Sequence, residues 1–317
     1  MSSLEENTLA RLNSKVSRSR DFNTRFQRFW NSPAALSLMY LPVLVLFAVF
    51  IVYPFTQGVK LSTTNWDGFS PTFTWANLQQ YQRMFNDRIV GQVVINTFFY
   101  GGISTLLQNV FGLAYALFLD QQLRGKSLIR AIVYLPVIIS PLIMGYIFYF
   151  MFQYDGGAVN DIFAVLGLPP VDWLATGARS VPLITLVNSY QYMGVAMVIY
   201  LAGLQTIPRE YYEAASIDGA RAWPKFALIT LPLLSPAITV NIVINLIGGL
   251  KLFDVIEAMT KGGPGYSSQS LSTMMYTLYF DRQDAGYAAA IGILMFVIIT
   301  IVGIGALLIL RRREVDQ

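Results

Sequence analysis

The 317-residue chain contains no cysteine and no histidine. The first absence removes disulfides, thiolate metal sites and cysteine nucleophiles; the second removes the commonest general base and metal ligand. Charge is scarce as well. Twenty-two basic and 18 acidic residues make up 13% of the chain, about half the share of an ordinary soluble domain, while 55% is hydrophobic. The charges are also missing from long stretches: six runs, at 29–59, 89–119, 131–154, 180–208, 226–250 and 285–310, carry none of them. Each run exceeds the roughly 20 residues that an apolar α-helix needs to cross the hydrocarbon of a bilayer. A water-soluble fold is thereby excluded, along with most enzyme chemistry. The composition describes an all-α membrane protein with six transmembrane helices.

The first run follows about thirty polar, basic residues and is longer than a signal-peptide core, so it reads as a retained span. Six spans leave both termini on one side, and the distribution of Lys and Arg says which. The N-terminal arm (Arg11, Lys15, Arg18, Arg20, Arg25, Arg28), the second loop (Arg124, Lys126, Arg130), the fourth loop (Arg209, Arg221, Lys225) and the tail (Arg311, Arg312, Arg313) hold fifteen basic residues. The other loops hold seven, and the acidic residues divide nine and nine. Both termini are therefore expected in the cytoplasm, with the chain in the cell's inner (plasma) membrane. The net charge of +4 is explained by orientation and requires no nucleic acid. The expected division is a basic arm at 1–33, a span domain at 34–310 and a tail at 311–317. The arm has two readings: Phe22, Phe26, Phe29 and Trp30, interleaved with Arg25 and Arg28, suit a helix lying on the anionic leaflet, and equally a disordered tail carrying orientation charges.

With no ionisable group in any run, the chain lacks the intramembrane charge that ion-coupled transporters ordinarily keep. A sodium site of carbonyls and hydroxyls alone stays open. Gly125-Lys126-Ser127 is not the end of a P-loop, because the leading glycine position is Asp120. What the spans do contain is uncharged hydrogen-bonding groups, among them Asn96, Tyr100, Gln108, Asn109, Asn188, Tyr190, Gln191, Tyr192, Asn241 and Asn245. Amides beside aromatic rings suit a neutral, hydroxyl-rich ligand such as a sugar, and each also suits hydrogen bonding between helices. On the fifth span, Asn241, Asn245, Gly248, Gly249 and Leu252 recur at i, i+4, i+7, i+8 and i+11, one helical face. Two prolyl segments echo each other, Leu135-Pro136 to Ser140-Pro141 and Leu231-Pro232 to Ser235-Pro236, either as independent kinks or as a degenerate duplication of helix pairs. The uncharged stretch 262–280 opens with Gly262-Gly263-Pro264-Gly265, loop chemistry followed by a short external helix rather than a seventh span.

The loop at 207–225 is the most informative segment. Pro208 suits the first turn of a helix, Glu210 and Glu213 its N-terminal half, and Gly219 a left-handed cap at its end, which predicts a helix about ten residues long. Ala214 and Ala215 offer a flat surface for another protein, with Tyr211, Tyr212 and Ile217 as anchors.

Glu213-Ala214-Ala215, Asp218-Gly219-Ala220 and Ile229-Thr230-Leu231-Pro232-Leu233-Leu234 resemble the EAA motif of binding-protein-dependent ABC importer permeases, with Gly219 four residues after the second alanine. Tyr53-Pro54, Asn96-Thr97, Arg124-Gly125-Lys126, Phe253-Asp254, Met259-Thr260, Gly262-Gly263-Pro264 and Gly286-Tyr287-Ala288-Ala289-Ala290 are similar to the sugar branch of that family, of the maltose and glycerol-3-phosphate type. The resemblance covers roughly residues 40 to 310 and is greatest to the first permease subunit, without the two extra N-terminal spans and large insertion of the maltose type. It implies a six-helix permease bundle with a cytoplasmic coupling helix, working by alternating access. The partners implied are a second homologous permease, two ATPase subunits that bind the ATP and magnesium, an extracytoplasmic solute-binding protein and a carbohydrate. This chain itself would hold no cofactor, no metal and no catalytic residue. Glu213, Ala214, Ala215, Asp218 and Gly219 would couple to the ATPase. Asn245, Gly249 and Leu252 align with sugar contacts of the family, and Asn241, Tyr190, Gln191, Tyr192, Asn96 and Tyr100 complete the candidate substrate site. The alternatives are an ion-coupled transporter acting alone, a membrane-embedded enzyme and, within the importer class, a glycerol-3-phosphate permease.

Overall fold

The computed structural model describes residues 33–121, 124–312 and 314, with side chains from residue 40 onward. The basic arm with Phe22, Arg25, Phe26, Arg28, Phe29 and Trp30 lies outside the described residues, as does Arg313 of the tail. The chain divides into two compact units, residues 1–60 and 61–317. In the first, α1 (Pro33–Phe47) passes through a wide π turn at Ala48–Val52 into α2 (Tyr53–Leu61). Tyr53 N–H reaches back five residues to the Ala48 carbonyl. The widened turn comes one residue before Pro54, which has no N–H to contribute and whose ring crowds the preceding turn of an ordinary helix.

In the second unit the loop after α2 is closed by an isolated antiparallel pairing of Thr64 with Trp75, in which Asn65 N–H donates to Thr74 O at 3.0 Å and Ala76 N–H to Thr63 O at 2.8 Å. Within it the Asp67 carboxylate accepts the Ser70 hydroxyl and the N–H groups of Ser70 and Phe69, which together lower its pKa to about 2. After α3 (Gln79–Asn86), Asp87 caps α4 (Arg88–Asp120) by accepting the Ile89 N–H at 2.9 Å. The 33 residues of α4 make a rod of about 50 Å.

The third and fifth expected spans are each broken in two. α5 (Lys126–Ile138) and α6 (Pro141–Phe152) meet at 95°. α7 (Ala158–Val165), α8 (Gly177–Thr206) and α9 (Arg209–Ile217) follow. Then α10 (Ala222–Lys225), a second π turn at Phe226–Thr230 and α11 (Leu231–Leu233) lead, with a 67° bend, into α12 (Ser235–Leu250). Both breaks fall at the Ser-Pro pairs that echo each other in sequence, and the π turn again precedes a proline, Pro232. Each proline stands in the first turn of the new helix, where it is tolerated. At the first break Ser140, the residue before it, is extended as a pre-proline residue prefers, whereas at the second Ser235 is already helical and the bend falls at Leu234.

The chain closes with α13 (Asp254–Thr260), α14 (Leu271–Tyr276), a third π turn at Thr277–Asp281 and α15 (Ala285–Arg311). The stretch 262–280 is thus a loop and a short helix, as its composition predicts; Ser270 and Thr273 cap α14 reciprocally. Among the described residues four helices, Tyr40–Leu61, α4, α8 and α15, are long and apolar enough to cross a membrane, or six if each bent pair is one span.

Three groups of buried side chains hold the second unit together. Met84, Val93, Leu271, Tyr287 and Ile291 join α3, α4, α14 and α15. Tyr100, Met144, Ile184, Val187, Ile256 and Met259 join α4, α6, α8 and α13. Ala116, Val133, Met197, Tyr200, Leu204 and Leu234 join α4, α5, α8 and the segment between α11 and α12. Large apolar residues such as Phe296, Ile301, Ile304 and Leu308 of α15 are exposed, a surface that suits lipid. Burying apolar surface again gains little there, so helix contacts depend on close packing and hydrogen bonds between helices.

Candidate functional site

A cavity of about 320 Å³ lies among α4, α6, α8, α12 and α13. α4 contributes Gln108, α6 its first residue Pro141, and α8 Asn188, Tyr192 and Val195. α12 contributes Ile244, Asn245, Gly248 and Gly249, and the chain leaving it adds Lys251, Leu252, Phe253 and Asp254. The helical spacings i, i+4, i+7 on α8 and i, i+3 from Asn245 to Gly248 on α12 explain why these residues share a wall.

Two buried amides there are only partly used. Gln108 donates from Nε2 to the Asn188 carbonyl at 3.2 Å, but its Oε1 has no partner. Asn245 Nδ2 is likewise buried and unpaired. A buried orphan of this kind costs roughly 1–3 kcal/mol. One orphan is an acceptor and the other a donor, and both belong to residues that line the cavity.

Of the substrate residues expected from sequence, Tyr192, Asn245, Gly249 and Leu252 come together here. The other five do not. Asn96 donates to the carbonyls of Ser267 at 2.9 Å and Gln269 at 3.1 Å, and Tyr100 donates to the Ser268 carbonyl at 2.8 Å, so both fasten the loop before α14. Asn241 is fully buried and donates to the Ala196 carbonyl on α8 at 3.2 Å. Gln191 donates to the Ile139 carbonyl at 2.8 Å, at the break between α5 and α6. Tyr190 is exposed and sets its ring edge-on to Phe148, with centroids 5.9 Å apart.

The two glycines of α12 also differ. A Cβ on Gly249 would stand 2.8 Å from Gly101 Cα, so that position serves the close approach of α12 to α4, whereas a Cβ on Gly248 would meet nothing within 4 Å. Gln108 and Asn188 belong to the amide group noted in the spans but not to the chosen site. Phe253 and Asp254 belong to the resemblance to the sugar branch but not to the chosen site, and Lys251 carries no signal that separates it from an ordinary loop residue.

The second functional element is α9. Pro208 precedes it, Glu210 stands in its first turn, and it ends in a Schellman arrangement. Ala220 N–H bonds the Ala215 carbonyl at 2.8 Å and Gly219 N–H the Ser216 carbonyl at 3.1 Å, with Gly219 at φ +75°. Tyr212 packs on the core beneath and its hydroxyl meets Thr230 Oγ1 at 3.0 Å; Lys225 Nζ donates to Ser216 Oγ at 2.6 Å. These bonds fix one side of the helix to the start of the second bent pair, the fifth expected span. Glu213, Ala214, Asp218 and Gly219 remain exposed, Ala215 is half-buried, and Ile217 is 87% exposed.

A helical membrane protein with an amide-lined cavity among its spans, and an exposed, glycine-capped helix braced between two of them, is built as a transport permease. The model of the family described as "Binding-protein-dependent transport system inner membrane component" matches residues 108–315, and the chain belongs to that family. It is 34% identical over 262 residues to the trehalose/maltose transport system permease protein MalF of Thermococcus litoralis, covering 83% of this chain and 88% of that one. In structure it is similar to a chain of a bacterial ABC transporter that imports the acidic polysaccharide alginate, with a TM-score of 0.77, 25% identity, and 92% of this chain and 99% of that chain covered. A chain of the alginate transporter in complex with its alginate pentasaccharide-bound periplasmic protein gives a TM-score of 0.75 at 25% identity, covering 89% and 94%. Family and fold together make the chain a multi-pass membrane protein of the transporter permease type.

Proposed function

We propose that this chain is the channel-forming subunit of an ATP-driven importer that takes a carbohydrate from an extracytoplasmic solute-binding protein and releases it into the cytoplasm by alternating access. The observation that carries the reading is the pair of complementary orphans, Gln108 Oε1 and Asn245 Nδ2, on two residues that line a cavity together with Asn188 and Tyr192. A sugar hydroxyl accepts from one and donates to the other, and Tyr192 offers a ring for stacking. Lys251 and Asp254, one of each sign, stand together where the chain leaves α12. The saccharide cargo of the similar permeases supports the same substrate class.

In this reading a second homologous permease completes the pathway and two ATPase subunits bind ATP and magnesium, leaving this chain no catalytic step. Glu213, Ala214, Ala215, Asp218 and Gly219 dock one ATPase, and the brace from Tyr212 to Thr230 passes the motion of α9 to the second bent pair. Closure of the ATPases opens the spans outward to receive the sugar, and hydrolysis resets them. Both termini lie in the cytoplasm, with the span domain at 34–310. The test is sugar uptake into vesicles holding the complete importer. Gln108→Leu and Asn245→Leu, each matched in bulk but without the amide, are expected to raise the transport KM roughly tenfold or more with assembly intact. Unchanged KM in both, with wild-type assembly, rejects the cavity as the sugar site.

A further inference from the structure

Joined end to end, α5 and α6 would form a helix of about 40 Å, enough to cross the hydrocarbon, yet they are bent by 95°. The bend has a specific hydrogen-bond origin. Ile139 and Ser140 are extended, with ψ of 135° and 136°, and Pro141 opens α6. In a helix carrying only an ordinary proline kink, the Ile139 carbonyl would accept the N–H of Ile143, four residues on. In the bent form Ile143 stands in the first turn of α6, where N–H groups find no carbonyl in their own helix. The Ile139 carbonyl instead takes Gln191 Nε2–H at 2.8 Å from α8.

The Ile139 carbonyl thus has two candidate donors that belong to different angles between α5 and α6: Gln191 Nε2–H in the bent form, and the Ile143 N–H once the two helices come into line. Gln191 is fully buried and its Oε1 has no partner, so the pinned arrangement carries an unpaid acceptor and is not overwhelmingly favoured. At the other break the corresponding side-chain bond is local, from Thr239 Oγ1 to the Ser235 carbonyl at 3.1 Å. Pro141 and Tyr192, neighbours of the two bonded groups, both line the cavity.

We infer that Gln191 is the positioning residue of a hinge: it holds α5 and α6 bent while the cavity has its present shape, and gives up the Ile139 carbonyl to Ile143 when α6 swings toward the line of α5. The hinge rests on the alternating-access reading, but its test measures an angle, whatever the cargo. Because the chain has no cysteine, nitroxide labels on cysteines introduced at the exposed Leu128 and Phe150, in the complete importer in lipid, report the distance between the two arms. Gln191→Met keeps the bulk without the donor and is expected to move population from the short distance to the long one by roughly tenfold. Ile143→Pro removes the competing N–H at a first-turn position that tolerates proline and is expected to deplete the long distance and its response to nucleotide. If Gln191→Met fails to assemble, Ile143→Pro decides alone. Distances unchanged in the variants that assemble, or displaced in the opposite sense, overturn the hinge. The expected shifts in an importer that carries no sugar uphold it and count against the carbohydrate reading instead.

Discussion

Gly248 and Gly249 are adjacent on α12, and changing each to alanine adds the same methyl to the same helix. The gain in helix propensity, about 1 kcal/mol, is common to both and cancels in their difference. What remains is contact. At Gly249 the new Cβ would stand 2.8 Å from Gly101 Cα, 2.8 Å from Ser104 Oγ and 3.0 Å from the Tyr100 carbonyl oxygen; at Gly248 it would meet nothing within 4 Å. Two of those three neighbours are backbone atoms that cannot rotate aside, so α12 and α4 must separate. Overpacking of this kind costs about 1–3 kcal/mol, which is therefore the expected stability gap between the two variants. Gly248→Ala should be as stable as the parent or slightly more so. It adds a methyl to the cavity wall, where one extra carbon is worth roughly tenfold or more in discrimination. Thermal melting of the purified importer reads the first effect, and the KM of sugar uptake reads the second. Equal melting of the two variants, or a Gly248→Ala importer that melts early with its KM unchanged, would refute the assignment of one glycine to packing and the other to the cavity.

Other perturbations follow from the same structure. Gly219→Val places a β-branched residue at φ +75°, a strain of about 1–2 kcal/mol or more, and should separate ATP hydrolysis from uptake while the spans still insert; normal uptake would count against α9 as the docking helix. Glu213→Lys reverses an exposed charge and should reduce co-purification of the ATPase, which a pull-down measures. The chain purified alone and reconstituted should neither hydrolyse ATP nor concentrate sugar, and proton- or sodium-driven accumulation would favour the ion-coupled alternative. Asp67 titrates near 2 in place of an ordinary 3.8, so its contribution to loop order is fully present above 3.8 and is lost as the pH falls through about 2. Hydrogen exchange at Phe69 and Ser70, corrected for its intrinsic pH dependence, should accelerate across that window, and in Asp67→Ala the acceleration should be absent.

The apolar helices were legible because a charge in hydrocarbon is costly enough to empty whole stretches of sequence, and the cap at Gly219 because a left-handed residue favours glycine. The breaks were half legible. Ser140-Pro141 and Ser235-Pro236 mark where the helices fail, but 95° and 67° depend on what else binds the freed carbonyls. That information lies far away in the chain: Gln191 reaches Ile139, and Asn96 reaches Ser267 and Gln269.

The substrate face shows the same limit at finer scale. Successive helical residues point about 100° apart, so Tyr192 can line the cavity while Gln191 beside it turns to the break between α5 and α6. A spacing of three and four identifies a stripe but leaves its phase to the neighbouring helices. An amide in a span looks the same in sequence whether it bonds the next helix, as Asn241 does with Ala196, bonds a broken one, as Gln191 does with Ile139, or lines a cavity, as Asn245 does. An unpaired atom does not separate the three either, because Gln191 Oε1 and Asn241 Oδ1 are buried without partners as Asn245 Nδ2 is; what separates them is that Asn245 lines the cavity whereas the other two spend their N–H groups on backbone carbonyls of neighbouring segments.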